Sequence, residues 1–162
     1  NGRFLIGFGL VVLLFFGGCS VVSGGGNDCF SSDECLVEGR CVSRQGQCTA
    51  GGGSDCKASR ACRDHGRCAA RAGACIATSG TRCKKSRGCA YEGRCSLVGE
   101  VCAVATHEDC KKAKVCTIYG QCGAQNGACA VPLTDAHCQQ AHICLSENKC
   151  RNQGGVCVGP SP

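Results

Sequence analysis

The sequence has no tryptophan and no methionine, and aromatic residues fill only 4% of its 162 positions. Without large apolar side chains, one sizeable hydrophobic core is excluded. The chain must be divided into small units held together by something other than apolar burial. Closely spaced cysteine pairs are missing too, with no C-x-C and no C-x-x-C anywhere. That removes the usual spacings of zinc sites, metal clusters and thioredoxin-like redox centres, so no metal and no cofactor is expected. No Ser/His/Asp or Cys/His arrangement can be assembled, and no carboxylate recurs through the chain except one at helix starts, where a capping role suffices. The reading is therefore of a protein that is not an enzyme. Long apolar runs are also lacking, apart from residues 4–16, and the net charge of +6 is modest.

Cysteine is what the chain has in abundance, with 21 residues. Such density is the signature of a disulfide scaffold. Twenty of them fall into five quartets: Cys29, Cys35, Cys41 and Cys48; Cys56, Cys62, Cys68 and Cys75; Cys83, Cys89, Cys95 and Cys102; Cys110, Cys116, Cys122 and Cys129; Cys138, Cys144, Cys150 and Cys157. Every quartet reads C-x5-C-x5-C-x6-C. First cysteines are 27, 27, 27 and 28 residues apart. Fixed spacing of this kind marks a tandem array. The units are residues 28–54, 55–81, 82–108, 109–136 and 137–162.

Each unit carries the same conformational signals. The first half is helix-friendly, as in Cys56-Lys-Ala-Ser-Arg-Ala-Cys62, and follows a helix starter: Asp28, Ser54 or Asp55, Thr81, Asp109, and Thr134 or Asp135. One turn past the second cysteine stands Gly39, Gly66, Gly93, Gly120 or Asn148. Glycine, and next to it asparagine, tolerates the left-handed conformation in which many helices end, so these five are read as helix C-caps. The second half centres on a two-residue turn, Asn126-Gly127 in the fourth unit and Gly99-Glu100 in the third. These fit type I′ and type II′ hairpin turns respectively. The expected fold is a small disulfide-rich α+β repeat, one short helix plus one β-hairpin, arrayed in tandem. A small residue midway along the helix (Ser32, Ser59, Ser86, Ala113 or Ala141) would let the hairpin approach. A strand returning along the helix favours first-to-fourth and second-to-third pairing within each unit. The crossed pairing, first-to-third with second-to-fourth, is the alternative.

The N-terminus has a different character. Arg3 precedes thirteen apolar residues; as a helix these would span about 20 Å, short of the roughly 30 Å hydrocarbon core. A charged start, a short apolar run and small residues make residues 1–18 a secretory signal. Phe16-Gly17-Gly18-Cys19 resembles the bacterial lipoprotein box, with Phe16 where such boxes usually carry leucine. That resemblance implies cleavage before Cys19, lipidation of Cys19 and attachment to a membrane, with residues 19–27 as a flexible tether. Cys19 is also the cysteine left over once the quartets are filled.

Side chains that could bind a partner cluster by charge. Arg60, Arg63, Arg67 and Arg71 lie in the second unit, and Arg82, Lys84, Lys85, Arg87 and Arg94 in the third, while the first is acidic. The asymmetry reads first as a solvated face that keeps the array soluble; a protein, an anionic polymer or acidic lipid headgroups are the partners it could attract. No aromatic interleaving accompanies the cations, so nucleic acid is not expected. The histidines His65, His107, His137 and His142 share no register and read as solvated side chains.

Taken as a whole, the lipobox-like start followed by D-C-x5-C-x3-G-[RQ]-C-x6-C repeats resembles the cysteine-rich tandem-repeat lipoproteins of some Gram-negative bacteria. The resemblance implies export, outer-membrane or cell-surface anchoring and an oxidising space, and is silent on activity. The leading reading is a lipid-anchored array with a structural or binding role in the envelope. A secreted inhibitor or effector presenting variable hairpin loops is the alternative.

Overall fold

A computed structural model of the chain describes residues 28–160. The signal segment, Cys19 and the tether lie outside the described residues.

The described chain is a tandem series of one motif: helix, elbow, helix, hairpin. The first unit starts with a 3-10 turn, Cys29–Ser31, followed by α1 (Asp33–Glu38), β1 (Val42–Arg44) and β2 (Gln47–Thr49). The second has α2 (Gly53–Ala58), α3 (Arg60–His65), β3 (Ala69–Arg71) and β4 (Ala74–Ile76). The third has α4 (Gly80–Lys85), α5 (Arg87–Glu92), β5 (Ser96–Val98) and β6 (Val101–Ala103). The fourth has α6 (His107–Lys111), α7 (Lys114–Tyr119), β7 (Gly123–Gln125) and β8 (Ala128–Val131). The fifth has α8 (Asp135–Gln140), α9 (His142–Glu147), β9 (Arg151–Gln153) and β10 (Val156–Val158). Each hairpin is its own two-stranded antiparallel sheet. This is a disulfide-rich α+β repeat.

The helical half is broken in the middle. Ser59 has extended backbone angles, φ −82° and ψ 164°, and is both the end of α2 and the N-cap of α3. Ser86 and Ala141 do the same in their units. The broken geometry is held by local bonds: Ser59 Oγ donates to the Cys56 carbonyl at 2.7 Å, and Ser86 Oγ to that of Cys83 at 2.8 Å. The serine thus replaces the helical bond that the turn gives up. Size matters as well, because Ser59, Ser86, Ala113 and Ala141 are all buried at the elbow.

Helix starts differ from the expected residues. The N-caps are Asp28, Gly52, Ser79, Thr106 and Thr134, so in the middle units the first helix begins earlier than at Asp55, Thr81 or Asp109. Asp55 and Asp109 sit inside the first turn and reach back. Asp55 Oδ2 accepts the Gly51 N–H at 2.9 Å, and Asp109 Oδ2 accepts those of Ala105 and Thr106 at 2.8 and 3.1 Å. A carboxylate there satisfies amides at the helix entrance while facing its positive end, which is the capping-box logic.

Ten disulfides pair the first cysteine with the fourth and the second with the third throughout. The long links have Cα atoms 5.3–5.5 Å apart. Cys56, Cys83, Cys110 and Cys138 are fully buried, so sulfur and small alanines such as Ala61 and Ala77 form the interior.

The units stack. Second helices touch in sequence, α1 on α3, α3 on α5, α5 on α7 and α7 on α9. Gly39, Gly66, Gly93 and Gly120 end these helices with φ between 68° and 76°, and Asn148 does so at 57°. The glycines also do something the asparagine does not. A Cβ built on Gly39 or Gly66 would come within 2.6 Å of a sulfur in the next unit, Cys75 or Cys102. Backbone bonds add to the join: the Ala50 N–H donates to the Gly73 carbonyl at 2.8 Å, and that of Ala77 to Glu100 at 2.9 Å. The hairpin tips of the second and third units therefore rest on the preceding unit. Asn148, by contrast, is exposed.

Candidate interaction face

Stacking equivalent units converts a repeated register into a row. The residue after the first cysteine is Phe30, Lys57, Lys84, Lys111 and Gln139 in successive units, and the first residue of the second helix is Asp33, Arg60, Arg87, Lys114 and His142. Two cationic rows therefore cross units two to four, flanking the buried elbow residues Ser59, Ser86 and Ala113. All six of these lysines and arginines are exposed. At either end the rows give way to neutral or acidic side chains.

The seam between second helices shows how tightly the rows are organised. A Cβ on Gly88 would meet the Asp64 carbonyl oxygen at 2.9 Å, so α5 lies close on α3. There Arg87 approaches the Asp64 carboxylate at 3.9 Å, and Arg63 donates to the same oxygen at 3.1 Å. The Arg63 hydrogen bond holds the Asp64 carboxyl below its ordinary range; desolvation opposes it, and the Arg63, Arg87 and His65 charges add to the lowering.

At the next seam Tyr91 takes the place of Asp64. The Lys114 ammonium lies 4.3 Å from the Tyr91 ring centroid and donates to its hydroxyl at 3.2 Å, while the Arg87 guanidinium lies 5.7 Å from the same ring. These are cation–π contacts between exposed groups. The bond from Lys114, then that from Arg87, lowers the phenol pKa from its ordinary value.

Other cations are engaged elsewhere. Arg67 pairs with Glu38 at 3.2 Å, Arg71 with Glu100 and Arg94 with Glu92. These joins lie at the helix ends and the hairpins. Among the described residues Lys57, Arg60, Lys84, Lys85 and Lys112 have no ion-pair partner, whereas Lys111 pairs with Glu108. The second and third units are thus basic as expected, but their cations divide between two sides of the stack, and the fourth unit extends one side.

The histidines serve local structure or solvent. His107 Nδ1 accepts the Ala124 N–H of β7 at 2.9 Å, His137 Nδ1 lies 3.3 Å from Thr134 Oγ1, and His65 and His142 are exposed. Among the described residues no group of three His, Cys, Asp or Glu is placed to hold a metal ion. Sequence reasoning gave Asp109 its capping role but missed the bond it accepts from Ser96 Oγ, the seam tyrosine Tyr91 and the cation rows. The rows could have been found by aligning units at the 27-residue interval and reading down the columns. The seam contacts carry no such signal. No protein-family model, curated protein or solved structure matches this chain.

Proposed function

We propose that the protein is a lipid-anchored, disulfide-stapled array of the bacterial cell envelope, with a structural or binding role at the outer membrane or cell surface. The observation that carries this reading is the cysteine ledger. All twenty cysteines after Cys19 are paired within their own units, so Cys19 alone of the 21 has no sulfur partner remaining among them. A thiol destined for acylation is left over in this way. So dense a set of disulfides belongs to an exported protein in an oxidising compartment. The resemblance to cysteine-rich repeat lipoproteins and the lipobox-like Phe16-Gly17-Gly18-Cys19 support the same assignment.

The alternative, a secreted inhibitor or effector working through its hairpin loops, loses ground on one observation. The tips at Gly73 and Glu100 accept backbone bonds from the preceding unit, so they are not free loops. Expression with the native N-terminus in a Gram-negative host separates the two. Globomycin-sensitive processing, membrane fractionation and a diacylglyceryl mass on Cys19 are the expected results. Unmodified protein in the medium, with Cys19 removed or free, would reject the anchor.

A further inference from the structure

We infer that the two cation rows on units two to four form a binding face for a linear anionic polysaccharide, one bearing carboxylate, sulfate or phosphate groups. This rests on the binding role proposed above but not on the acyl anchor.

The argument begins with periodicity. Lys57, Lys84 and Lys111 repeat at one register, and Arg60, Arg87 and Lys114 at another, so positive charge recurs once per unit along the stack axis. Neighbouring packed helices lie roughly 8–10 Å apart. A ligand matching such a ladder is extended and carries charge at intervals along its own length. Few carboxylates oppose it: on this side Asp64 meets Arg87, and Glu108 meets Lys111. The remaining cations of the rows stand without acidic partners, and the exposed Lys85 and Lys112 directly follow Lys84 and Lys111 in the chain. Exposed like charges held in rows repel one another, and an anionic chain laid along them relieves that repulsion.

The company these cations keep selects the polymer. Between the rows lie the small elbow residues Ser59, Ser86 and Ala113, all buried. The large apolar side chains that α5 and α7 expose, Tyr91, Ile118 and Tyr119, are at most half exposed, and the most exposed ones, Phe30 and Leu145, belong to the first and fifth units, which argues against insertion of this face into a bilayer. Nucleic acid would want free aromatic faces for its bases. Tyr91, the ring in contact with cations of the rows, is already covered by Lys114 and flanked by Arg87. The exported, oxidising setting points the same way, because polysaccharides are the abundant linear polyanions outside the cytosol.

The test uses the full oxidised chain in neutral-detergent micelles, which hold an acylated or unprocessed N-terminus alike. Dextran sulfate is the probe, neutral dextran the control, and single-stranded DNA of equal charge the competitor. Micelles doped with phosphatidylglycerol provide the lipid arm. Dextran sulfate is expected to bind, neutral dextran not, and the affinity to fall with added salt. The triple variant Lys57→Gln, Lys84→Gln, Lys111→Gln should weaken binding at least about tenfold, while Arg44→Gln, Arg71→Gln, Arg151→Gln removes the same charge from hairpin strands and should change it by less than about twofold. Circular dichroism and the absence of free thiols other than Cys19 confirm that both variants are folded. The inference is overturned if dextran sulfate fails to bind, or if both triple variants weaken it equally. Tighter binding of DNA, or displacement of the glycan by phosphatidylglycerol, likewise rejects it in favour of that ligand. None of these outcomes depends on whether Cys19 carries lipid.

Discussion

Gly66 and Cys102 belong to neighbouring units, yet a single added carbon on Gly66 would lie 2.6 Å from the Cys102 sulfur. The glycine that ends α3 is therefore also the seat of the next unit's long disulfide. Two demands, a left-handed backbone and no side chain, meet at one position, and only the first applies at Asn148. Gly66→Asn is expected to destabilise the oxidised protein by on the order of 2–4 kcal/mol, since the contact is backbone and sulfur and cannot yield cheaply. Asn148→Gly should cost well under about 1 kcal/mol, because both residues accept the conformation. Urea unfolding of the two variants decides this, and equal losses would sink the stacking role of the glycine.

Reduction removes the covalent part of the interior. With cysteine and alanine forming most of the buried surface, and each disulfide contributing about 2–4 kcal/mol, the reduced chain should lose its helical circular dichroism. A native spectrum in excess reductant would show that the small apolar contacts suffice.

Asp109 ties the connector ahead of the fourth unit by accepting the Ala105 and Thr106 amides, and it also accepts from Ser96 Oγ at 2.9 Å. Asp109→Ala is expected to cost about 1–3 kcal/mol. The third unit carries Arg82 in that register and lacks the staple. Amide exchange at Thr78 and Ser79 should accordingly be faster than at Ala105 and Thr106, and the reverse order would contradict the staple.

Tyr91 offers an optical readout of the seam. Its phenol is held below the ordinary tyrosine value, first by the Lys114 bond, so the phenolate forms at lower pH than in a free tyrosine. A depressed acid gains from its partners above its unfolded value and loses that gain as pH falls through the folded one. With no tryptophan in the chain, the tyrosinate absorbance that Tyr91→Phe removes reports Tyr91, and it should appear at lower pH in the folded protein than in urea. High salt should shrink that difference. A Tyr91 titration that urea leaves unchanged at low salt would reject the contact.

Much of this was legible in residue spacing. Five aligned quartets, the Gly-or-Asn register and the Gly99-Glu100 shift together specify the hairpins and helix ends, because each signal is local backbone chemistry. The elbow at Ser59 was not legible. Cys56-Lys-Ala-Ser-Arg-Ala-Cys62 contains nothing that breaks a helix on propensity alone, and the break recurs at Ala113 and Ala141, which have no hydroxyl. Common to units two to five are an elbow N–H bonded to the first cysteine's carbonyl and a small side chain buried in the packed unit. The charged face was only half visible. Listed along the chain, Arg60 and Arg67 look alike, but the stack leaves Arg60 open and pairs Arg67 with Glu38. Which cation is available is a property of the assembly, not of the residue.

Among the described residues every sulfur–sulfur bond closes inside its own unit, and the joins between units are noncovalent: van der Waals contact, a few hydrogen bonds, ion pairs and a cation–π contact. The array is therefore even in thiols at every joint. A gene that gains or loses one 27-residue copy alters the reach of the protein without stranding a reactive cysteine, so its length is free to drift where its chemistry is not.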